Sequence, residues 1–183
     1  MSTSATPVTG MSLAEKVRAA CEQDWDAHKG DCSGFVKAVA ADLGFHLSGT
    51  ANDIVRSLRA GWASAADGVA AARMAAEGKF VIGGLPDDPN GHVVVVVSGP
   101  LNRQKYPSAY WGKLGGVGKK NTTINWSWDA DDRDRVEYFW ADLLARSLAA
   151  RSGPGAVNQS NSTPMRILGW SLEDLEKSLK KWL

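Results

Sequence analysis

Val93 to Val97 are five consecutive valines, entered through Gly91-His92 and left through Ser98-Gly99. A β-branched run with no polar position does not suit a strand that shows one face to water. It predicts a central strand covered on both sides, so the chain must build layers around a sheet. No apolar block in the chain is longer, and about 20 such residues are needed to cross a bilayer. No membrane anchor is expected.

Upstream of the valines the period is helical. Ser12 and Glu15 form a capping box, with Leu13, Val17, Cys21 and Trp25 spaced by four, which predicts a helix over 12–26. A loop at 27–31 leads to a second helix from Cys32 to about Leu43, stopped by Gly44. Thr50 or Asn52 caps a short helix carrying Ile54, Val55 and Leu58. An alanine-rich helix is expected over 64–77, ending at Gly78.

Strands follow at 79–84 and 91–99, joined by the turn-forming Leu85-Pro86-Asp87-Asp88-Pro89-Asn90. Further strands are expected at 108–112 and 122–128, around a glycine-rich loop. Asp129 or Asp131 then caps a helix running to about Ala150. Leading helices followed by a strand meander define an α+β fold. The organisation expected is a flexible N-terminus at 1–11, one domain at 12–150, a linker at 151–169 and an amphipathic C-terminal helix at 170–183. Leu172, Leu175, Leu179, Trp182 and Leu183 mark the apolar side of that helix, opposite the pairs Glu173–Lys177 and Glu176–Lys180. So short a helix is marginal alone in water and calls for a docking surface, on its own domain or on a partner.

Charge narrows the function. The 183 residues carry 21 basic and 20 acidic side chains, a net charge of +1, which offers no electrostatic footprint for nucleic acid. Two cysteines are too few for a disulfide framework, and no CxxC pair suggests zinc; a single bridge stays open. Residues 1–10 lack a basic n-region and an apolar h-region, so no Sec signal peptide is expected. The three histidines, His28, His46 and His92, lack the clustering of a metal site, and no cofactor is called for.

Cys32 stands where a loop becomes a helix, in Asp31-Cys32-Ser33-Gly34-Phe35-Val36. Free N–H groups and the helix dipole there favour an anion, which predicts a lowered thiol pKa. The same N–H groups suit a developing oxyanion. Ser33 and Gly34 are small enough to let a substrate carbonyl approach. His92 opens the valine strand and is placed to take and return a proton. His28, in a polar loop, and His46, on the surface, are placed less well. Cys21 lies on an apolar helix stripe and reads as a core thiol. Of the eight tryptophans, Trp62, Trp126, Trp128 and Trp140 fall at core-like positions.

A helix-initial cysteine followed by a strand-initial histidine is the order of papain-like hydrolases. The DCSGFV block at 31–36 followed by GHVVVVVSGP at 91–100 resembles the NlpC/P60 cell-wall peptidases, and the longer blocks DCSGFVKAVAADLG at 31–44, EGKFVIGGL at 77–85, GHVVVVVSGPLNRQKYP at 91–107 and DDRDRVEYF at 131–139 support a closer likeness. That closer resemblance is to the type VI secretion amidase effectors, family 1 branch. The resemblance covers roughly 12–150. It implies a papain-like domain with helices packed on a small antiparallel sheet. It implies hydrolysis of the γ-D-glutamyl–meso-diaminopimelate amide of the peptidoglycan stem peptide, with Cys32 as nucleophile, His92 as base and then acid, and no metal or cofactor. It also implies a cytoplasmic protein delivered by type VI secretion components to the periplasm of a target cell, and a cognate immunity protein. A third polar group usually orients the imidazole. Asn102, Gln104, Ser108, Tyr110 and a carbonyl near Trp111 all qualify. The alternatives are a papain-like acyltransferase and a cell-wall binding module without catalysis.

Overall fold

The computed structural model describes residues 10–151. The expected linker from 152 onward, the terminal helix at 170–183 and residues 1–9 lie outside the described residues. Three helices come first: α1 (Leu13–His28), α2 (Cys32–Asp42) and α3 (Ala51–Gly61). The Ser12–Glu15 capping box opens α1, and Thr50 with Asp53 forms a second one at α3.

The rest is built on one sheet: β1 (Ala63–Ala65), β2 (Phe80–Leu85), β3 (His92–Val96), β4 (Ser108–Trp111), β5 (Lys119–Thr123) and β6 (Glu137–Ala141). The spatial order is β1-β6-β2-β3-β4-β5, and every pairing is antiparallel. Helix α4 (Gly68–Ala76) lies between β1 and β2, and α5 (Leu143–Arg151) follows β6. The architecture is therefore α+β and papain-like, as the sequence implied.

The valine strand explains the layering. Val93, Val95 and Val97 share a core with Phe35, Val36 and Val39 of α2 and with Ile54 and Leu58 of α3. Val94 and Val96 point the other way, into a second core with Ala71 and Ala75 of α4, Ala109, Trp111 and Tyr138. All five valines are buried, each contributing roughly 1.5–2 kcal/mol by its removal from water.

Three expectations fail. The alanine-rich helix does not start at 64. Ala63–Ala65 pairs as an edge strand with β6, and Asp67 caps α4 through the Ala70 N–H at 2.8 Å. No helix runs from Asp129 or Asp131 to Ala150. Residues 130–135 are turns, Glu137–Ala141 is a strand between β1 and β2, and only then does Asp142 cap α5 through the N–H groups of Leu144 and Ala145. Tertiary pairing overrides local helix propensity there, because β6 is paired on both sides, with β1 and with β2. The strand expected at 122–128 ends at Thr123, and a 3-10 turn at Ile124–Trp126 bends the chain back.

Candidate active site

Cys32 is the first residue of α2. Asp31 caps this helix: its Oδ1 accepts the Gly34 N–H at 2.9 Å and the Ser33 hydroxyl at 2.8 Å. Burial would raise the Asp31 carboxyl, but these two donors, together with the Lys37 ammonium and the Ser33 N–H, outweigh it and hold it below the ordinary carboxylate value. Gly34 serves this cap rather than an approaching substrate. A Cβ there would stand 2.5 Å from Asp31 Oδ2 and 3.3 Å from His28 Nδ1. The smallness of residue 34 is thus spent on the helix terminus. Ser33 does line the cleft.

The thiol itself departs from expectation. Cys32 is 7% exposed, and burial pushes its pKa above the ordinary thiol value. The Val93 N–H pulls it down, the Asp31 carboxylate pushes it up, and the N–H groups of Ser33 and Cys32 pull it down. Desolvation wins over the helix terminus, so the resting group is a thiol, not a thiolate. Asp31→Asn keeps a capping side chain and removes the charge. Its thiol should become more acidic, and the pH midpoint of iodoacetamide alkylation should fall relative to wild type. An unchanged or higher midpoint would count against the electrostatic role of Asp31.

His92 opens β3 opposite Leu85 of β2. Its ring meets Trp128 edge to face, with centroids 4.9 Å apart at 67°, and Nε2 lies 2.7 Å from Ser127 Oγ. Burial, helped by the Lys113 ammonium, lowers its pKa from 6.5 to about 4. The imidazole is therefore neutral at physiological pH. Cys32, His92, Ser127 and Lys113 all line one cleft of about 540 Å³. His28 does not lie in the loop expected but ends α1, and His46 is exposed as expected. Cys21 is fully buried, and both cysteines are free.

Among the described residues, the hydrogen-bond contact of the His92 side chain is with Ser127, and the groups the sequence offered as a third polar group have other partners. Asn102 closes a turn with Tyr106, and Gln104 sits in that turn at a φ of 54°. Ser108 donates to the Pro100 carbonyl, Tyr110 donates to Glu22, and the Trp111 carbonyl accepts from Trp25. Ser127 contacts His92 instead, delivered by the 3-10 turn after β5. No sequence signal marked it, because residues 122–128 read as a strand. Trp126, beside it, is 64% exposed under the Lys119 ammonium and not in the core. Ser127→Ala should lower kcat about tenfold with KM little changed, the value of one hydrogen bond to a partly buried ring. A change confined to KM would reject an orienting role.

This arrangement defines a class: a papain-like α+β domain whose cleft joins a helix-initial thiol to a strand-initial imidazole. No protein-family model matches the chain. Over 152 residues it is 41% identical to the peptidoglycan amidase Tse1 of Pseudomonas aeruginosa, an alignment that spans 77% of this chain and 99% of that protein. The chain belongs to the type VI secretion amidase effector family.

Proposed function

We propose that this protein is a peptidoglycan amidase that works through a cysteine. Its substrate is the stem peptide, cut between γ-D-glutamate and meso-diaminopimelate. The observation that carries the reading is the meeting of Cys32, His92 and Ser127 around one cleft in a chain related to a peptidoglycan amidase.

The chemistry starts from a neutral pair. With Nε2–H donating to Ser127 Oγ, the Nδ1 lone pair is the acceptor for the Cys32 proton. As Sγ attacks the amide carbonyl carbon, its proton passes to His92. Neither charge has to persist alone in a buried site. The N–H groups at the start of α2 receive the developing oxyanion; Gly34 N–H is taken by Asp31, which leaves those of Cys32 and Ser33. The C–N bond then breaks, and His92 gives its proton to the leaving amine of diaminopimelate. Water attacks the thioester carbonyl, His92 takes one of its protons, and as the C–S bond breaks His92 passes that proton to Sγ, restoring the thiol and the neutral imidazole.

The protein is read as an antibacterial effector handled by type VI secretion components, acting in the periplasm of the target cell and neutralised by an immunity protein. Digestion of purified meso-diaminopimelate peptidoglycan, read by mass spectrometry, tests the activity. Fragments ending in D-glutamate are expected. Transfer to acyl acceptors without hydrolysis, or no new fragment from folded protein, would overturn the assignment.

A further inference from the structure

The cleft holds a cation that the chemistry above does not use. Lys113 lies on its rim with Cys32, His92 and Ser127. Its main chain is fixed: the Lys113 N–H and the Gly118 N–H both donate to the Lys29 carbonyl, at 3.0 and 2.8 Å. Gly112 packs so tightly on the same turn that a Cβ would stand 2.2 Å from the His28 carbonyl oxygen and 2.4 Å from that of Asp31. The root of the Lys113 side chain is thus tied to the turn that starts the Cys32 helix.

Lys29, Lys79, Lys105 and Lys120 each pair with a carboxylate. Among the described residues, no ion pair or hydrogen bond engages Lys113 Nζ. Asp31, the carboxylate of the same cleft, is occupied by its own helix. The ammonium also acts on His92, opposing its protonation. A cation rooted at this rim with no ion-pair partner, and near a group that must become cationic, is costly to the reaction unless an anion arrives with the substrate.

We propose that Lys113 is the specificity-determining residue of the cleft, its ammonium pairing with the free α-carboxylate of the D-glutamyl residue on the acyl side of the scissile bond. This rests on the amidase reading above. In a γ-glutamyl amide the reacting carbonyl belongs to the side chain. The α-carboxylate stays ionised only two methylenes and the α-carbon away, within reach of a flexible lysine. Its arrival also cancels the opposition of Lys113 to the imidazolium, so the true substrate makes His92 a better base.

The test compares the full chain on three peptides: L-alanyl-γ-D-glutamyl-meso-diaminopimelate, its D-isoglutamine counterpart, and one amidated on the distal carboxylate of diaminopimelate. Wild type should prefer the free acid over the isoglutamine peptide about five- to tenfold in kcat/KM, the scale of one charge-assisted contact at a cleft rim. In Lys113→Ala that preference should collapse to near one, and Lys113→Arg should recover part of it. A preference that survives in Lys113→Ala, or that follows the diaminopimelate carboxylate instead, overturns the proposal and leaves the amidase reading standing. Wild type cutting none of the three overturns both. Lys113 is exposed, so its variants should melt with wild type.

Discussion

Cys32→Ala should lose at least about 10⁴-fold in kcat/KM on a stem peptide, because no thioester can form and His92 alone offers no comparable route. The fold should survive, since exchanging a thiol for a methyl removes one atom from the cleft wall and costs about 1 kcal/mol. Release of free diaminopimelate amine reads the activity, and a thermal melt reads the fold. Alkylation separates the two thiols. Cys21 is wholly buried, and desolvation raises its pKa well above the ordinary value. Iodoacetamide should therefore label the Cys32 site first and leave Cys32→Ala almost unlabelled. Activity within tenfold of wild type would move the nucleophile elsewhere.

His92→Asn should cost about 10²–10⁴ in kcat at neutral pH, the range for loss of a positioned general base. The wild-type rate should stay high as pH falls below 6.5 and should drop only near about 4, where the buried imidazole takes its proton. An acid limb near 6.5 would mean that the ring titrates as if in water. Stability has the same origin. An unfolded chain protonates this histidine as pH falls through about 6.5, and the folded chain resists until about 4. Between those values the unfolded state binds more protons, so stability is complete above 6.5 and falls by about 3 kcal/mol on the way to 4. Urea midpoints at pH 7 and 4.5 should differ less in His92→Asn than in wild type. Equal differences would remove His92 as the cause.

Much of this was legible before any coordinates. Five valines required a strand covered on both faces, and the two cores confirm it. Capping residues placed the start of α1, and Thr50, one of the two caps offered, the start of α3, whereas the Asp31 cap of α2 carried no reading from sequence. What failed was short and context-bound. Ala63–Ala65 is a strand because β6 offers it an edge, and no alternation over three residues could announce that. Glu137–Ala141 hid behind a charged run with helix-capping aspartates. The raised pKa of the thiol is not legible in the sequence, which displays the helix terminus and not the desolvation that outweighs it. Ser127 was invisible for a related reason: contact with His92 is made by a turn whose direction depends on the sheet edge beneath it.

Cys32 begins a helix and His92 begins a strand, and only the packing of α2 on β3, through Phe35, Val36 and Val39 against Val93 and Val95, brings them to one cleft. Neither layer alone carries both groups. The pair therefore assembles in the same cooperative step that closes the larger core. A chain held open contains every reactive atom and has no reactive site.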